Sequence, residues 1–201
     1  MDAFNFAFSL FAIVLGLSIA EVLTGFARGL RRWRSDRPVG LDGTSHPKVR
    51  LGWLTPLLGI FVMLDLVAFW EWGWAARRFV SPNYGILIIG LLSSGLYYLA
   101  AAMIFPAEFG GREDFDEHYA EHHRQVFGAV LVCNLIETVP IIVMRWGDMP
   151  LRTWVETGIY YAAILTGLIA RGKRTGIAAL LVLILLYLFS AVISFTDPVA
   201  L

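Results

Sequence analysis

Apolar residues in this chain gather into long blocks, and short polar stretches separate the blocks. A helix of about 20 mostly apolar residues is needed to cross the roughly 30 Å hydrocarbon core of a bilayer, where the backbone must satisfy its own hydrogen bonds. Six blocks reach that length and predict six transmembrane helices. They cover approximately residues 4–27, 51–74, 84–105, 125–144, 151–170 and 175–195. The fifth block is the least apolar, because it carries Glu156, Tyr160 and two threonines.

A polar segment before the fourth block also has a helical period. Asp114 and Glu117 have the D-x-x-E spacing of a capping box, which predicts a helix start near Phe115. The apolar stripe that follows consists of Phe115, Tyr119, His122 and Val126. Charged residues lie on another stripe, so we expect one short amphipathic helix at the membrane interface that continues into the fourth span. Residues 28–50 have no apolar period, and we expect them to be irregular.

The composition agrees with a membrane location. Hydrophobic residues make up 58% of the 201 residues and charged residues 16%, whereas soluble domains have about 45–50% and about 25%. The predicted fold class is therefore all-α, a polytopic membrane helical bundle that forms one domain over residues 1–201. The net charge of +0 argues against nucleic-acid binding. The single Cys133 excludes an intrachain disulfide and a cysteine-based zinc cluster.

The basic residues are distributed unevenly between the two ends of the predicted spans. Of the 16 Lys and Arg, 12 lie in the loops that follow spans one, three and five, which share one side of the membrane. The loops on the other side carry only Arg77, Arg78, Arg145 and Arg152. Loops rich in Lys and Arg stay in the cytoplasm, which predicts that both termini lie on the non-cytoplasmic side. Five tryptophans would then lie at the outer interface: Trp70, Trp72, Trp74, Trp146 and Trp154. A bacterial inner membrane is the simplest expectation.

The sequence carries no motif of a common cofactor or enzyme. No span has a core lysine for a retinal Schiff base, and the 4 histidines lie outside the span centres, which argues against a haem with two histidine ligands. Zinc-protease, Walker and nucleophile-elbow motifs are also missing, so we expect no cofactor and no metal. His118 and His122, with Glu121 beside them, have the spacing of a weak metal cluster or a pH-sensing cluster.

Three acidic residues fall inside the predicted spans without a basic partner at the same depth: Glu21, Asp65 and Glu137. A charge at the bilayer centre costs about 2.5–3.5 kcal/mol on insertion scales, so such residues usually have a role. Asn134 and Thr138 share a helix face with Glu137, and Pro140 frees a backbone carbonyl nearby. This oxygen-rich set can hold a proton or a small cation. Further hydroxyl partners are Ser93, Ser94, Tyr97, Tyr98, Tyr187, Ser190 and Ser194.

Span one carries a stripe of small and polar residues. Gly25 and Gly29 form a G-x-x-x-G pattern that lets helices approach closely. Glu21 lies two turns from Arg28, and we expect only an indirect contact between the two side chains.

Three functions of different class fit these features. The first is a proton- or cation-conducting, or proton- or cation-coupled, channel or transporter that uses the intramembrane carboxylates, above all Glu137 and Asp65. The second is a non-catalytic accessory or scaffold subunit of a larger membrane complex, in which the acids are interhelical contacts. The third is a lipid-modifying enzyme at the inner interface that uses the segment from His118 to His123. The expected partners are the lipid bilayer, protons or small cations, and either further copies of this chain or a larger complex.

Overall fold

The computed structural model describes residues 3–35, 52–77, 81, 83–106, 115–147 and 149–196. Within these ranges the chain forms six α-helices and no strand. The helices are α1 (Ala3–Ser35), α2 (Leu54–Ala76), α3 (Tyr84–Ile104), α4 (Phe115–Arg145), α5 (Leu151–Ile169) and α6 (Lys173–Thr196). The predicted all-α helical bundle is confirmed.

Five helices are long and apolar enough to cross a membrane, namely α1, α2, α3, α4 and α6. The mean hydropathy is highest for α6, at 2.8. The remaining helix, α5, is less apolar than these five, because its 19 residues include Arg152, Glu156 and two tyrosines. The structure thus has five clear candidate spans where the sequence predicts six, and the helix that differs, α5, comes from the least apolar block. The chain is an integral membrane helical bundle in which α5 packs against α4 and α6.

Helix α1 continues past the predicted end of the first span, as far as Ser35. The expectation of irregular structure over residues 28–50 is therefore wrong for residues 28–35, while residues 36–50 lie outside the described residues. The expected indirect contact is also wrong, since Arg28 Nη2 donates directly to Glu21 Oε1 at 3.2 Å. Residues seven apart lie on nearly the same face of a helix, and an arginine side chain is long enough to reach across two turns.

Helix α4 begins at Phe115, as the capping pattern predicted, and continues through Pro140 to Arg145. The interfacial segment and the fourth span are therefore one helix; Asp114 lies outside the described residues. Phe115, Tyr119 and Val126 of the predicted stripe are buried. His122 is only half-buried, and its neighbour His123 is buried instead. Thr55 Oγ1 of α2 donates to the Phe115 carbonyl at 2.6 Å, and this hydrogen bond connects the start of α4 to the start of α2.

The centre of the bundle is α2, which packs against α1, α3, α4 and α6. The start of α1 meets the end of α2, because the Phe8 ring lies 5.5 Å from the Trp70 ring and 5.4 Å from the Trp74 ring. At the same end, Trp146 after α4 contacts Trp154 of α5 at 5.0 Å. Five of the tryptophans thus mark one end of the bundle, which we call the tryptophan end. The side of the membrane that it faces stays a prediction.

Gly25 brings α1 close to the end of α3. A Cβ atom at this buried position would overlap the Phe105 ring. We expect Gly25→Val to lower the free energy of unfolding by about 1–3 kcal/mol, because overpacking forces the ring and the helix to shift. Gly16→Val is the matched control, since no atom lies within 4 Å of a Cβ at Gly16. Thermal unfolding in detergent, followed by circular dichroism, compares the two; equal melting temperatures would contradict a tight contact at Gly25.

Candidate functional site

Asp65 lies halfway along the central helix α2. Among the described residues it is the one acidic residue whose side chain is buried, with 1% of its surface exposed. No lysine, arginine or histidine in the described part of the chain contacts its carboxylate. Hydrogen-bond donors from four other helices contact it instead, and they define what we call the Asp65 cluster.

Three of the donors are tyrosine hydroxyls. Tyr97 of α3 donates to Asp65 Oδ2 at 2.6 Å, and both Tyr160 of α5 and Tyr187 of α6 donate to Oδ1 at 2.5 Å. The fourth donor is Nδ2 of Asn134 on α4, which lies 3.2 Å from each carboxylate oxygen. The Asp65 cluster therefore consists of Asp65, Tyr97, Asn134, Tyr160 and Tyr187, one residue from each helix except α1.

The donors of the cluster are themselves held in place. The amide nitrogen of Asn134 also donates to the Val130 carbonyl at 3.0 Å, which orients the amide along α4. The hydroxyls of Tyr187 and Tyr160 are 3.3 Å apart, and their rings meet edge to face at 5.9 Å. The Tyr97 ring packs edge to face on Phe69 at 4.9 Å. These contacts orient the donor groups around the carboxylate.

This shell is suited to a proton rather than to a metal ion. A carboxylate without a counter-ion is stabilised by hydrogen bonds to its charged form, and here the donors supply that stabilisation. A metal ion would compete for the same lone pairs, and the Asn134 amide presents its nitrogen, which is not a ligand for hard cations. A proton fits, because each tyrosine hydroxyl can accept a hydrogen bond as well as donate one. No group of three or more metal-ligating side chains occurs within the described ranges.

The structure brings together some of the predicted site residues and separates others. Asp65 and Asn134 are in contact. Glu137 lies one turn further along the same face of α4 and is half-buried, and its carboxylate makes no hydrogen bond to a described residue. Thr138 lies within reach of the Tyr161 hydroxyl, which itself donates to the Asn134 carbonyl at 3.1 Å. Glu21 lies apart from the cluster, paired with Arg28.

The tyrosines are the residues that sequence reasoning did not assign to the site. In the sequence, Tyr97 and Tyr187 are two of several hydroxyl groups within the predicted spans, and Tyr160 is one of the residues that make the fifth block less apolar. Their depth is the signal that could have found them, because tyrosines normally lie at the membrane interface and a buried hydroxyl needs a partner. Three tyrosines near mid-span on three helices therefore point to a shared acceptor.

A layer of apolar side chains separates the cluster from the end of the bundle opposite the tryptophans. The Phe61 and Phe127 rings stack at 5.8 Å, and both are fully buried. A Cβ at Gly167 would overlap the Phe127 ring, so α5 also packs tightly here. On the other side of the cluster, toward the tryptophan end, the nearest polar residues on α4 are Glu137 and Thr138.

The predicted histidine cluster lies far from Asp65, at the start of α4. The His118 and His122 rings stack at 4.3 Å, and the side chain of Glu121 is exposed. His122 Nδ1 lies 3.1 Å from the His118 carbonyl, and His118 Nε2 lies 3.1 Å from the Met103 carbonyl. A pH-sensing role for these residues stays a prediction.

A double-mutant cycle tests whether Tyr160 and Tyr187 act on one carboxylate oxygen. Hydrogen bonds in membrane bundles contribute about 0.6 kcal/mol on average and up to about 1.7 kcal/mol, so we expect each Tyr→Phe change to be mild. The pair should show a coupling energy of at least about 0.5 kcal/mol, because the two hydroxyls share Oδ1 and contact each other. Unfolding in detergent measures it. The control pair is Tyr161 with Tyr187, since Tyr161 donates to a backbone carbonyl, and equal coupling in both pairs would contradict the shared acceptor.

Comparison of the chain with protein-family models, with curated proteins and with solved structures finds no match. The functional argument therefore depends on the geometry of the Asp65 cluster.

Proposed function

We propose that this protein translocates protons across the membrane, either as a proton-conducting channel or as a proton-coupled transporter, and that Asp65 binds and releases the proton. The observation that carries the proposal is one mid-membrane carboxylate held by side chains of four other helices, with no basic partner among the described residues. An intramembrane acid is costly and is generally found where ions or protons move.

Protonation of Asp65 would change the contacts between helices. A charged carboxylate only accepts hydrogen bonds, whereas a protonated one has to donate one. At least one of the four donors must then turn into an acceptor or move away. Because Tyr97, Tyr160 and Tyr187 belong to three different helices, loading a proton biases the packing of α3, α5 and α6 around α2. This is the kind of two-state element that proton coupling requires.

We assign to Glu137 the role of the next proton-binding group after Asp65 on the proposed proton path. It lies on the face of α4 that carries Asn134, it is half-buried, and it is on the tryptophan side of the cluster. The stack of Phe61 and Phe127 closes the opposite side. In this proposal protons reach Asp65 from the tryptophan end by way of Glu137, and release toward the opposite end of the bundle requires the apolar layer to open.

Proton uptake into liposomes tests the proposal. The full chain is reconstituted with a pH-sensitive dye inside, and a potassium diffusion potential drives protons inward. The wild-type protein, Asp65→Asn and the control Glu71→Gln are compared with empty liposomes, because Glu71 is an exposed acid on the same helix. A wild-type rate equal to that of empty liposomes contradicts a proton-conducting function.

The location that we propose is a bacterial inner membrane, with both termini on the non-cytoplasmic side. The support is the clustering of 12 of the 16 basic residues on one side of the spans and of five tryptophans at the other end. Adding a periplasm-active or cytoplasm-active reporter to each terminus tests this orientation.

A second candidate function, an accessory or scaffold subunit of a larger membrane complex, is favoured by one specific observation. Every donor to Asp65 comes from this chain and the carboxylate is 1% exposed, as expected of a purely interhelical contact. Purification in a mild detergent distinguishes the two functions. A stoichiometric partner together with unchanged behaviour of Asp65→Asn supports the scaffold, whereas proton flux from the isolated chain supports the first proposal.

A further inference from the structure

Ser93 of α3 has a buried hydroxyl that makes no hydrogen bond to any of the described residues. The residue is 2% exposed. It lies next to the Asp65 cluster, because Ser93 and Tyr97 are four positions apart and share one face of α3. Buried hydroxyls are almost always satisfied, either by the protein or by ordered water. The Ser93 hydroxyl is therefore a polar group beside the proposed proton site whose partner has to be explained.

Other hydroxyls in these helices are satisfied locally. Ser18, Ser94 and Thr166 each donate to the carbonyl four residues earlier, at 3.0, 2.8 and 2.7 Å. A bond to the preceding turn is a common arrangement for a hydroxyl within a helix. Ser93 departs from this arrangement although its neighbour Ser94 follows it. Its hydroxyl is therefore available to a group outside α3.

Ser93 packs against α4, close to the residues that the proposed proton path uses. Cys133 Sγ donates to the Ser93 carbonyl at 3.5 Å, so Ser93 lies against the turn of α4 that carries Asn134. Helix α3 begins at the tryptophan end and α4 ends there. Ser93 is thus about one turn from Tyr97 toward the tryptophan end, and Glu137 is about one turn from Asn134 in the same direction. Ser93 and Glu137 lie at a similar depth, beyond the contact between Tyr97 and Asn134.

The proposed path needs a link between Glu137 and Asp65 at this depth. A proton is transferred between groups at hydrogen-bond distance, or by way of one water molecule. The side chain of Asn134 turns its amide nitrogen toward Asp65, and this group does not relay protons. The Tyr97 hydroxyl is suited to the task, because it donates to Asp65 Oδ2 and its oxygen has two lone pairs. The Asn134 amide occupies one of them, so the other can accept from a further donor.

We propose that Ser93 binds a water molecule that passes protons between Glu137 and Tyr97. This inference deepens the proposed function and rests on its assignment of Glu137 and Asp65 as proton-binding groups. Ser93, Glu137 and Tyr97 give the water three polar partners, the usual number for a buried water. We call this place the Ser93 water site.

The transfer balances at every atom. Glu137 gives its proton to the water, the water gives one of its own protons to the Tyr97 oxygen, and Tyr97 gives its hydroxyl proton to Asp65 Oδ2. The water and the tyrosine end with the protons they began with, and only the two carboxyl groups change charge. Ser93 neither gains nor loses a proton. It is a positioning residue, because its hydroxyl holds the water in place.

Infrared difference spectroscopy of the full chain in liposomes tests for this water. A pH step changes the protonation of Asp65, and the O–H stretching band of a water bonded nearby changes with it. We expect such a band to shift when heavy-oxygen water replaces ordinary water. It should be lost in Ser93→Ala and kept in the matched control Ser94→Ala, because Ser94 is a buried neighbour whose hydroxyl donates to the Gly90 carbonyl. A wild-type spectrum without this band, or a band that remains in Ser93→Ala, would overturn the proposal.

The rate of proton delivery to Asp65 is a second readout. After a pH jump, the Asp65 component of the carboxyl band should appear about tenfold more slowly in Ser93→Ala than in the wild type or in Ser94→Ala, the effect of losing one hydrogen bond that holds the water. The melting temperature of Ser93→Ala should stay close to that of the wild type, because the hydroxyl has no partner to lose among the described residues. Equal rates in the two serine variants would remove Ser93 from the path and assign its hydroxyl to its own helix.

Both readouts work without proton flux, so this inference and the proposed function fail separately. If wild-type liposomes show no flux but the water band and the slower delivery in Ser93→Ala are found, the proposed function is wrong and the Ser93 water site stands. If Asp65→Asn abolishes flux while the two serine variants behave alike, the proposed function stands and the Ser93 water site is wrong.

Discussion

Asp65→Asn is expected to reduce the proton flux of the reconstituted protein by about 100-fold or more, the lower range for losing a positioned acid–base group. Asparagine has the shape of aspartate and keeps one oxygen for the tyrosine hydroxyls, but its amide does not exchange a proton as a carboxyl group does. The four donors that surround Asp65 make this variant informative, because the fold keeps most of its hydrogen bonds while the proton site is lost.

The control Glu71→Gln removes one carboxylate from the same helix at an exposed position, so it should keep the wild-type rate. Infrared difference spectroscopy on a pH step adds a readout that needs no flux: the component of the protonated carboxyl band that comes from Asp65 should be present in the wild type and lost in Asp65→Asn. A full proton flux in Asp65→Asn would show that another group carries the proton, and the assignment of Asp65 would then be wrong.

Asp65→Leu is expected to cause the largest loss of stability of any substitution proposed for this protein. Leucine has the same branching as aspartate but accepts no hydrogen bond, so three tyrosine hydroxyls and one amide would face an apolar side chain. Each buried donor without a partner costs about 1–3 kcal/mol. The expected loss in the free energy of unfolding is therefore at least about 3 kcal/mol, which would leave little folded protein in detergent.

Rescue separates this explanation from a general packing defect. Adding Tyr97→Phe, Tyr160→Phe and Tyr187→Phe to Asp65→Leu removes three of the stranded hydroxyls, and replacing both partners of a hydrogen bond by apolar groups is close to neutral. We expect the quadruple variant to recover a large part of the lost melting temperature, as measured by circular dichroism. If Asp65→Leu alone unfolds at the wild-type temperature, the cluster does not hold the bundle together.

The extent of the helices was largely predictable, and the two differences from the prediction have separate causes. Apolar blocks report only the part of a helix that lies in lipid, so the pattern ended the first helix near Ala27 although α1 reaches Ser35. The extension is stabilised by the Glu21–Arg28 ion pair and by Gly29, which lets the Phe115 ring lie close to α1. The low apolarity of α5 was visible in the sequence, and its reason is tertiary: Tyr160 and Tyr161 direct their hydroxyls to Asp65 and Asn134.

The sequence by itself determined that this chain is a membrane bundle of about six helices. It also determined that Asp65, Asn134 and Glu137 are polar side chains within predicted spans. Both conclusions follow from the free-energy cost of polar groups in hydrocarbon, which depends on the local sequence alone. Only the tertiary structure decided which of these residues forms a site. The hydrogen bonds to Asp65 join residues that are 32 to 122 positions apart, and which helix faces meet depends on the packing of α2 against its neighbours. The same packing left Glu137 beside the cluster, on the face of α4 that carries Asn134.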